Sequence, residues 1–369
     1  MHCNYTYIYN INNNSLGGII MKIFAKALAL TVTSSVLLLG LAGCSSAKGS
    51  SSSTSQLSTL NVAVFPNSTH AQGLVGKDNG DFQKALGSQT KVNWKTFNAG
   101  PDEVQAFLTG DEDIGFIGPG PAVTANVQSH GDIQIVAGAA NGGSLLVARK
   151  GENITSVKDL AGKSVAIPQY GNTQHLLLLN LLKENGLQDT SKGGTVTVKA
   201  VNNADVQTLF DKGSLDAALV PEPWASTLIQ GDGAQVVYNQ NTLWRNGKYA
   251  TTVVIARKDF IQKHPKELKA FLKAHVQLTD KINAHPDEAE QAINKQLYDI
   301  TKKKLSDDVL TASLKNTPAV YSIEKDSVLD FATFAKDGGY LSGNVDKKAL
   351  FDLDPLNAVL KSLGKQTIS

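Results

Sequence analysis

Cysteine is nearly missing from this chain: there are two, Cys3 and Cys44. Residues 1–20 are polar and Asn-rich and lack the charge pattern of a targeting segment, whereas Met21 opens one that has it. Translation is therefore expected to start at Met21, with 1–20 an upstream extension, which leaves Cys44 alone. One thiol permits no intramolecular disulfide, no cysteine-based metal cluster and no CxxC redox pair. None of His130, His175, His264, His275 and His285 falls into HxH or HExxH spacing, so neither a metal nor a cofactor is expected. GxSxG, a P-loop and a recognisable carboxylate pair are missing as well, and no enzyme class is signalled. Charge of one sign is also lacking. The 35 basic and 33 acidic residues nearly balance, with no basic stripe, so nucleic acid is not an expected partner. After the apolar run that ends at Leu41 there is no second long one, so no transmembrane domain is expected.

What is present starts with that apolar run. Lys22 and Lys26 precede residues 27–41, which are too short and too rich in small residues for a membrane span. Leu41-Ala42-Gly43-Cys44 follows and resembles the lipobox of bacterial lipoproteins. That resemblance implies a signal peptide at 21–43 and lipidation of Cys44. It places the protein outside the cytoplasm, anchored to the outer face of the cell membrane. An ordinary secretory signal or a short membrane anchor is the alternative. Residues 44–57 are a Ser-rich tether of low apolar content. Each buried lipid methylene contributes about 0.8 kcal/mol to such an anchor.

Beyond the tether, short apolar strands alternate with amphipathic helices, which predicts an α/β fold. Strands are expected at 60–65, 92–97, 114–117, 133–137, 144–149, 164–168, 196–200, 217–220 and 251–256. The third is broken by Gly118-Pro119-Gly120-Pro121. Helices are expected at 101–109, 173–185 and 205–212. In the tail, His264-Pro265 and His285-Pro286 each open a helix, and 326–334 and 355–363 complete it. There is an internal echo: Val104, Gly110, Asp113 and Pro119 recur, with a one-residue slip, as Val206, Gly213, Asp216 and Pro221. One helix–turn–strand unit is thus used twice. Ligands of open α/β sheets bind beyond the carboxyl ends of the strands, so two such halves facing each other make a cleft.

Several segments carry a family resemblance. They are Phe65-Pro66-Asn67-Ser68-Thr69-His70-Ala71, Phe97-Asn98-Ala99-Gly100-Pro101, Gly115-Phe116-Ile117-Gly118-Pro119-Gly120-Pro121, Ala137-Gly138-Ala139-Ala140-Asn141-Gly142-Gly143, Asp159-Leu160-Ala161-Gly162-Lys163, Pro168-Gln169-Tyr170-Gly171-Asn172-Thr173-Gln174 and Val220-Pro221-Glu222-Pro223-Trp224-Ala225. In order along 60–260, they resemble substrate-binding proteins of ABC importers, in the nitrate/sulfonate/taurine (NMT1/THI5-like) group with the type II periplasmic-binding-protein fold. The resemblance implies two α/β lobes with a cleft between them, lobe 1 being 58–145 plus 256–369 and lobe 2 being 146–255. It further implies a monomer that captures a small anionic organosulfur ligand, an aliphatic sulfonate or a taurine-like anion. The lobes would then close and dock on an ABC permease. Nitrate is an alternative ligand. A thiamine pyrimidine precursor is another, with Tyr170, Trp224 and Glu222 serving it. Enzymes of the same fold need a cysteine that this body lacks.

Three corners promise anion contacts. They are Asn67-Ser68-Thr69-His70, Gly118-Pro119-Gly120-Pro121 and Gly171-Asn172-Thr173-Gln174, each at a helix N-terminus, where first-turn N–H groups lack acceptors and the dipole is positive. Taken singly, each reads as a plain cap. In family register, the second and third read as binding corners, whereas Asn67 to His70 reads equally either way. Gly143 and Ser144 offer backbone N–H groups to the cleft or simply turn the chain. Glu222 and Trp224 stand in a turn that the family places at the cleft wall. A carboxylate there repels an anion, so Glu222 either turns away as a cap or interlobe contact, or meets a cationic group such as the amine of taurine. Trp224 is either an apolar wall for a ligand tail or core.

Overall fold

The computed structural model describes residues 56–369. Met21, the signal segment, Cys44 and the tether through Ser55 lie outside the described residues. Ten strands form two five-stranded sheets: β1 (Thr59–Val64), β2 (Lys91–Thr96), β3 (Ile114–Ile117), β4 (Ile133–Asn141), β5 (Ser144–Ala148), β6 (Ser164–Ile167), β7 (Thr197–Ala200), β8 (Ala217–Pro221), β9 (Gln235–Tyr238) and β10 (Ala250–Arg257). Their orders are β2-β1-β3-β10-β4 and β7-β6-β8-β5-β9. In the first, β1 pairs in parallel with β2 and β3, and β10 runs antiparallel to β3 and β4. The second repeats this, with β6 parallel to β7 and β8, and β5 antiparallel to β8 and β9.

Each sheet therefore takes its fourth strand from across the molecule. The chain leaves the first sheet after β4, turns at Gly142-Gly143 and enters the second as β5; it returns between β9 and β10. These crossings shift the boundaries expected from sequence. Ser144 and Leu145 already belong to the second sheet, and all of β10 from Ala250 belongs to the first. Both turn glycines have positive φ, 63° and 69°. A side chain on Gly143 would press on the Thr317 side chain, so the crossing needs glycine conformationally and sterically.

The internal echo is a structural device. Asp113 accepts the Asn61 N–H at 2.8 Å, and Asp216 accepts the Ser164 N–H at 2.7 Å. Each carboxylate thus pins the start of its sheet's central parallel strand, and each has an arginine nearby. Arg257 Nη2 lies 2.9 Å from Asp113, and Arg149 Nη2 lies 3.7 Å from Asp216.

Helices cover the sheets as their apolar spacing demands. Pro119–Gln128 begins at Pro119, so Gly118-Pro119-Gly120-Pro121 is the entrance to a helix as well as the end of β3. In the tail, Pro265–Ala284 and Pro286–Thr301 each carry proline in the first turn, where the missing N–H costs nothing. Leu268, Phe271, Leu272, Leu278 and Ile282 form the buried stripe of the first, and Phe271 stacks on Phe82 at 4.3 Å. Strand β9 and the helix Trp224–Asp232 were not expected from sequence. β9 is largely exposed and shows no clean alternation, so period-2 reasoning has nothing to hold. No helix among the described residues is long and apolar enough to cross a membrane.

Candidate ligand-binding cleft

The corners that sequence reasoning singled out meet between the two sheets. Asn67, His70, Gly118, Asn172, Thr173 and Gln174 all line one small cavity of about 20 Å³. That is the space of about one water molecule. Direct contacts across the seam hold it nearly shut. Trp224 Nε1 donates to Asn67 Oδ1 at 2.8 Å, the Ser68 N–H to the Glu222 carbonyl at 3.1 Å, and the Gly120 N–H to Thr173 Oγ1 at 3.3 Å.

The Gly171–Gln174 corner is a capped helix start with unpaired first-turn N–H groups. Gly171 has φ 78°, which lets the chain turn into the helix Thr173–Glu184. Asn172 caps that helix by accepting the His175 N–H at 2.9 Å. The Thr173 and Gln174 N–H groups remain as first-turn donors without an intrahelical acceptor. The Gln174 side chain is held by Ser144 Oγ at 2.9 Å. Gly171 itself does not line the cavity, and its N–H donates to His175 Nδ1 at 2.9 Å.

His70 is buried and stacked on Phe65, with ring centroids 4.5 Å apart. Burial lowers its pKa to about 3, so the ring is neutral at physiological pH. Its Nδ1 accepts the Phe65 N–H at 3.3 Å, which assigns the proton to Nε2 and makes the ring a neutral donor.

Other expected residues sit differently. The Gly118–Pro121 corner reaches the cavity only through Gly118 and Pro121 and is otherwise a point of contact between the halves. Pro119 and Pro121 have no N–H, and the Gly120 N–H is spent on Thr173. A side chain on Gly118 would collide with Thr173 Oγ1. Gly143 and Ser144 do not line the cavity; the Gly143 carbonyl accepts the Glu222 N–H at 2.8 Å, and Ser144 holds Gln174. Glu222 does not line it either. Its carboxylate accepts the Ser226 N–H at 3.0 Å in the first turn of Trp224–Asp232 and Asn316 Nδ2 at 2.7 Å across the seam. Burial raises its pKa, and the bonds from Asn316 and Ser226 pull it back. Of the two roles open in the sequence, cap and interlobe contact is the one observed. Trp224 is buried and lines a neighbouring cavity.

Thr69 of the first corner lines the cavity, whereas sequence reasoning missed Asn98, Gly100, Asn203 and Thr251, which line it too. Asn98 and Gly100 were legible, because they precede Pro101 at another helix start. Thr251 and Asn203 carry no local signal and are delivered by topology alone. No Lys, Arg, Asp or Glu is among the described residues lining the cavity. It is a neutral shell of amide, hydroxyl and imidazole groups with two free backbone N–H donors.

Residues 53–297 match the NMT1-like family. The chain belongs to that family. Among its relatives, the taurine-binding periplasmic protein of Escherichia coli (strain K12) is 30% identical over 233 residues, 63% of this chain and 69% of the relative. A putative aliphatic sulfonates-binding protein of Bacillus subtilis (strain 168) is 26% identical over 311 residues, 84% of this chain and 88% of the relative. The alkanesulfonate-binding protein from Xanthomonas axonopodis pv. citri, solved bound to MOPS, superposes with a TM-score of 0.68 at 19% identity. That match covers 80% of this chain and 99% of the other. The two-sheet architecture of this NMT1-like chain is thus the periplasmic-binding-protein fold.

Proposed function

We propose that this protein is the solute-binding component of an ABC importer and that its cleft takes the oxyanion head of a small aliphatic sulfonate. One observation carries the reading: the cleft gathers neutral donors from both halves and no charged side chain among the described residues. A monovalent, weakly hydrated anion suits such a shell. Hydrogen bonds to a charged group contribute about 1.5–3 kcal/mol each, and micromolar binding needs only about −8 kcal/mol. A few donors are therefore sufficient without arginine. The names of the relatives favour sulfonate or taurine over nitrate. A pyrimidine ligand would want a carboxylate in the cleft, and Glu222 is turned away from it.

In this reading the halves part to admit the ligand and close over it, since the cavity is too small to be entered as it stands. The closed form, a monomer tethered outside the cytoplasm through lipid on Cys44, delivers its cargo to a permease. The cleft side chains offer hydrogen bonding rather than a nucleophile or a carboxylate, which supports binding without turnover.

Calorimetry with ethanesulfonate, taurine, nitrate and sulfate tests the ligand. Ethanesulfonate or taurine should bind at micromolar concentration or tighter, with sulfate far weaker because its second charge meets no cation. Failure of both sulfonates to bind would remove the reading. Mass spectrometry of the mature protein should find its N-terminus at a lipid-modified Cys44.

A further inference from the structure

A cavity of about 460 Å³ shares no lining residue with the cleft. Its size falls within the range of small-molecule sites, roughly 300–1,000 Å³. The second half supplies the helix Thr173–Glu184 and the segment that follows it to Lys192. The first half supplies Gly338 to Tyr340 and the end of the helix Lys325–Asp337, which is tied to β10 by the Ala250 N–H donating to Ser327 Oγ at 2.9 Å. Between the halves, Lys183 Nζ lies 2.8 Å from Asp337 Oδ2, and the His175 and Tyr340 rings meet edge-on with centroids 5.0 Å apart. We infer that this cavity is a second binding site, for a small uncharged molecule with an apolar body and one carboxamide or hydroxyl group, and that its occupant helps to hold the halves together.

His175 gives the first reason. It lines the cavity and is buried, 1% exposed. Its Nδ1 is turned back to its own corner, where it accepts the Gly171 N–H, so the proton sits on Nε2. Burial lowers its pKa to about 4, opposed by the nearby Asp189 charge, and the ring is neutral with that single donor. Nε2 has no hydrogen-bond partner among the described residues. A buried donor without a partner is costly, so an acceptor on a bound molecule gains by meeting it. Asp189 supplies the complementary group. It too lines the cavity and is buried; its Oδ1 accepts the Ser191 N–H at 2.8 Å, while Oδ2 accepts no hydrogen bond among the described residues. One donor and one acceptor in the same cavity suit a carboxamide or a hydroxyl, which accepts and donates at once.

The remaining walls set the rest of the ligand. Leu179, Leu182, Leu187, Phe334 and Tyr340 give apolar surface for its body. Lys183 and Lys192 are balanced by Asp189 and Asp337, so the border favours neither sign of charge. Leu179 and Phe334 come from opposite halves, and a molecule lodged between them touches both. His175 follows directly on Gln174, which lines the cleft, so one helix carries a wall of each site. An occupant that favours the joined halves and an anion that does the same must favour each other.

The test is calorimetry and nuclear magnetic resonance of the purified protein with benzamide, and with benzoate and benzylammonium as charged comparators. Benzamide should bind saturably at about millimolar concentration or tighter, and at least tenfold tighter than either ion. It should also move the His175 Nε2–H resonance. Leu179→Trp, which puts a bulky ring into the cavity from a half-buried position, should weaken benzamide at least tenfold while the melting temperature changes little. No saturable binding, an unmoved His175 resonance, equal binding of the ions, or full affinity in the folded variant would each overturn the site. Saturating benzamide should further tighten ethanesulfonate several-fold, an arm that rests on the sulfonate reading above. Unchanged or weaker ethanesulfonate binding would overturn the grip on the halves. If ethanesulfonate fails to bind with or without benzamide, the sulfonate reading fails, and the benzamide arms still decide this site.

Discussion

At the scale of single residues, burial decides what the side chains can do. His70 stands among the cavity groups proposed to hold an anion, yet desolvation holds its pKa near 3, so in that reading it serves as a neutral N–H donor. An exposed histidine titrates near 6.5 and would strengthen anion binding as pH falls through that value. Affinity for ethanesulfonate should therefore stay flat from about pH 8 down to pH 5. A rise on acidification, followed by titration calorimetry in matched buffers, would mean a charged His70. Two other buried groups set stability. Glu103 and Glu112 are almost fully buried, and neither oxygen of Glu103 has a partner. Burial, reinforced by the other carboxyl, raises Glu103 well above the usual range. Burial lifts Glu112 to about 7, opposed by Lys95 at 3.5 Å. A folded-state pKa above the unfolded one means that stability is fullest at low pH and declines as pH rises through the window between them. Melting temperature should therefore fall between about pH 5 and pH 8, and Glu112→Gln should flatten that decline. An unchanged slope in the variant would contradict this origin.

At the scale of elements, the helix–strand corners were the most legible part of the chain. Alternating apolar patterns placed the strands to within a residue or two at most ends, and Asn172-Thr173-Gln174 announced a helix start that Asn172 does cap. Gly118-Pro119-Gly120-Pro121 looked the same on paper and behaves differently. Its prolines carry no N–H, and its Gly120 N–H is spent on Thr173 Oγ1 across the seam, a contact that no local pattern can encode. Glu222 shows the same limit. Its Ser226 bond is local and its Asn316 bond spans the molecule, so the sequence allowed its outward turn without deciding it. Thr251 and Asn203 were silent for the same reason. The Gly118 corner yields a prediction of its own. A methyl group there meets Thr173 Oγ1, so Gly118→Ala should hinder closure and weaken sulfonate binding at least tenfold. The fold should barely change, because Gly118 has ordinary extended backbone, φ −69° and ψ 149°. Calorimetry together with a melting curve separates the two effects. Full affinity in the variant would show that the halves do not close on this contact.

At the scale of the whole molecule, two copies of one sheet topology exchange a strand each and face each other across a seam. Asp113 and Asp216 anchor equivalent strands in the two sheets, so the halves are built alike and are joined by the crossings at 142–143 and 239–249. The cavity lining comes from both halves, so in the proposed reading closure and capture are one event energetically. The account depends on uncharged donors meeting one negative head at that seam. A crystal structure of the protein with ethanesulfonate tests this most directly. The sulfonate oxygens should lie within hydrogen-bonding distance of the Thr173 and Gln174 N–H groups and of His70 Nε2, with no lysine or arginine in contact. A sulfonate held by a cationic side chain, or bound outside the seam, would contradict the account.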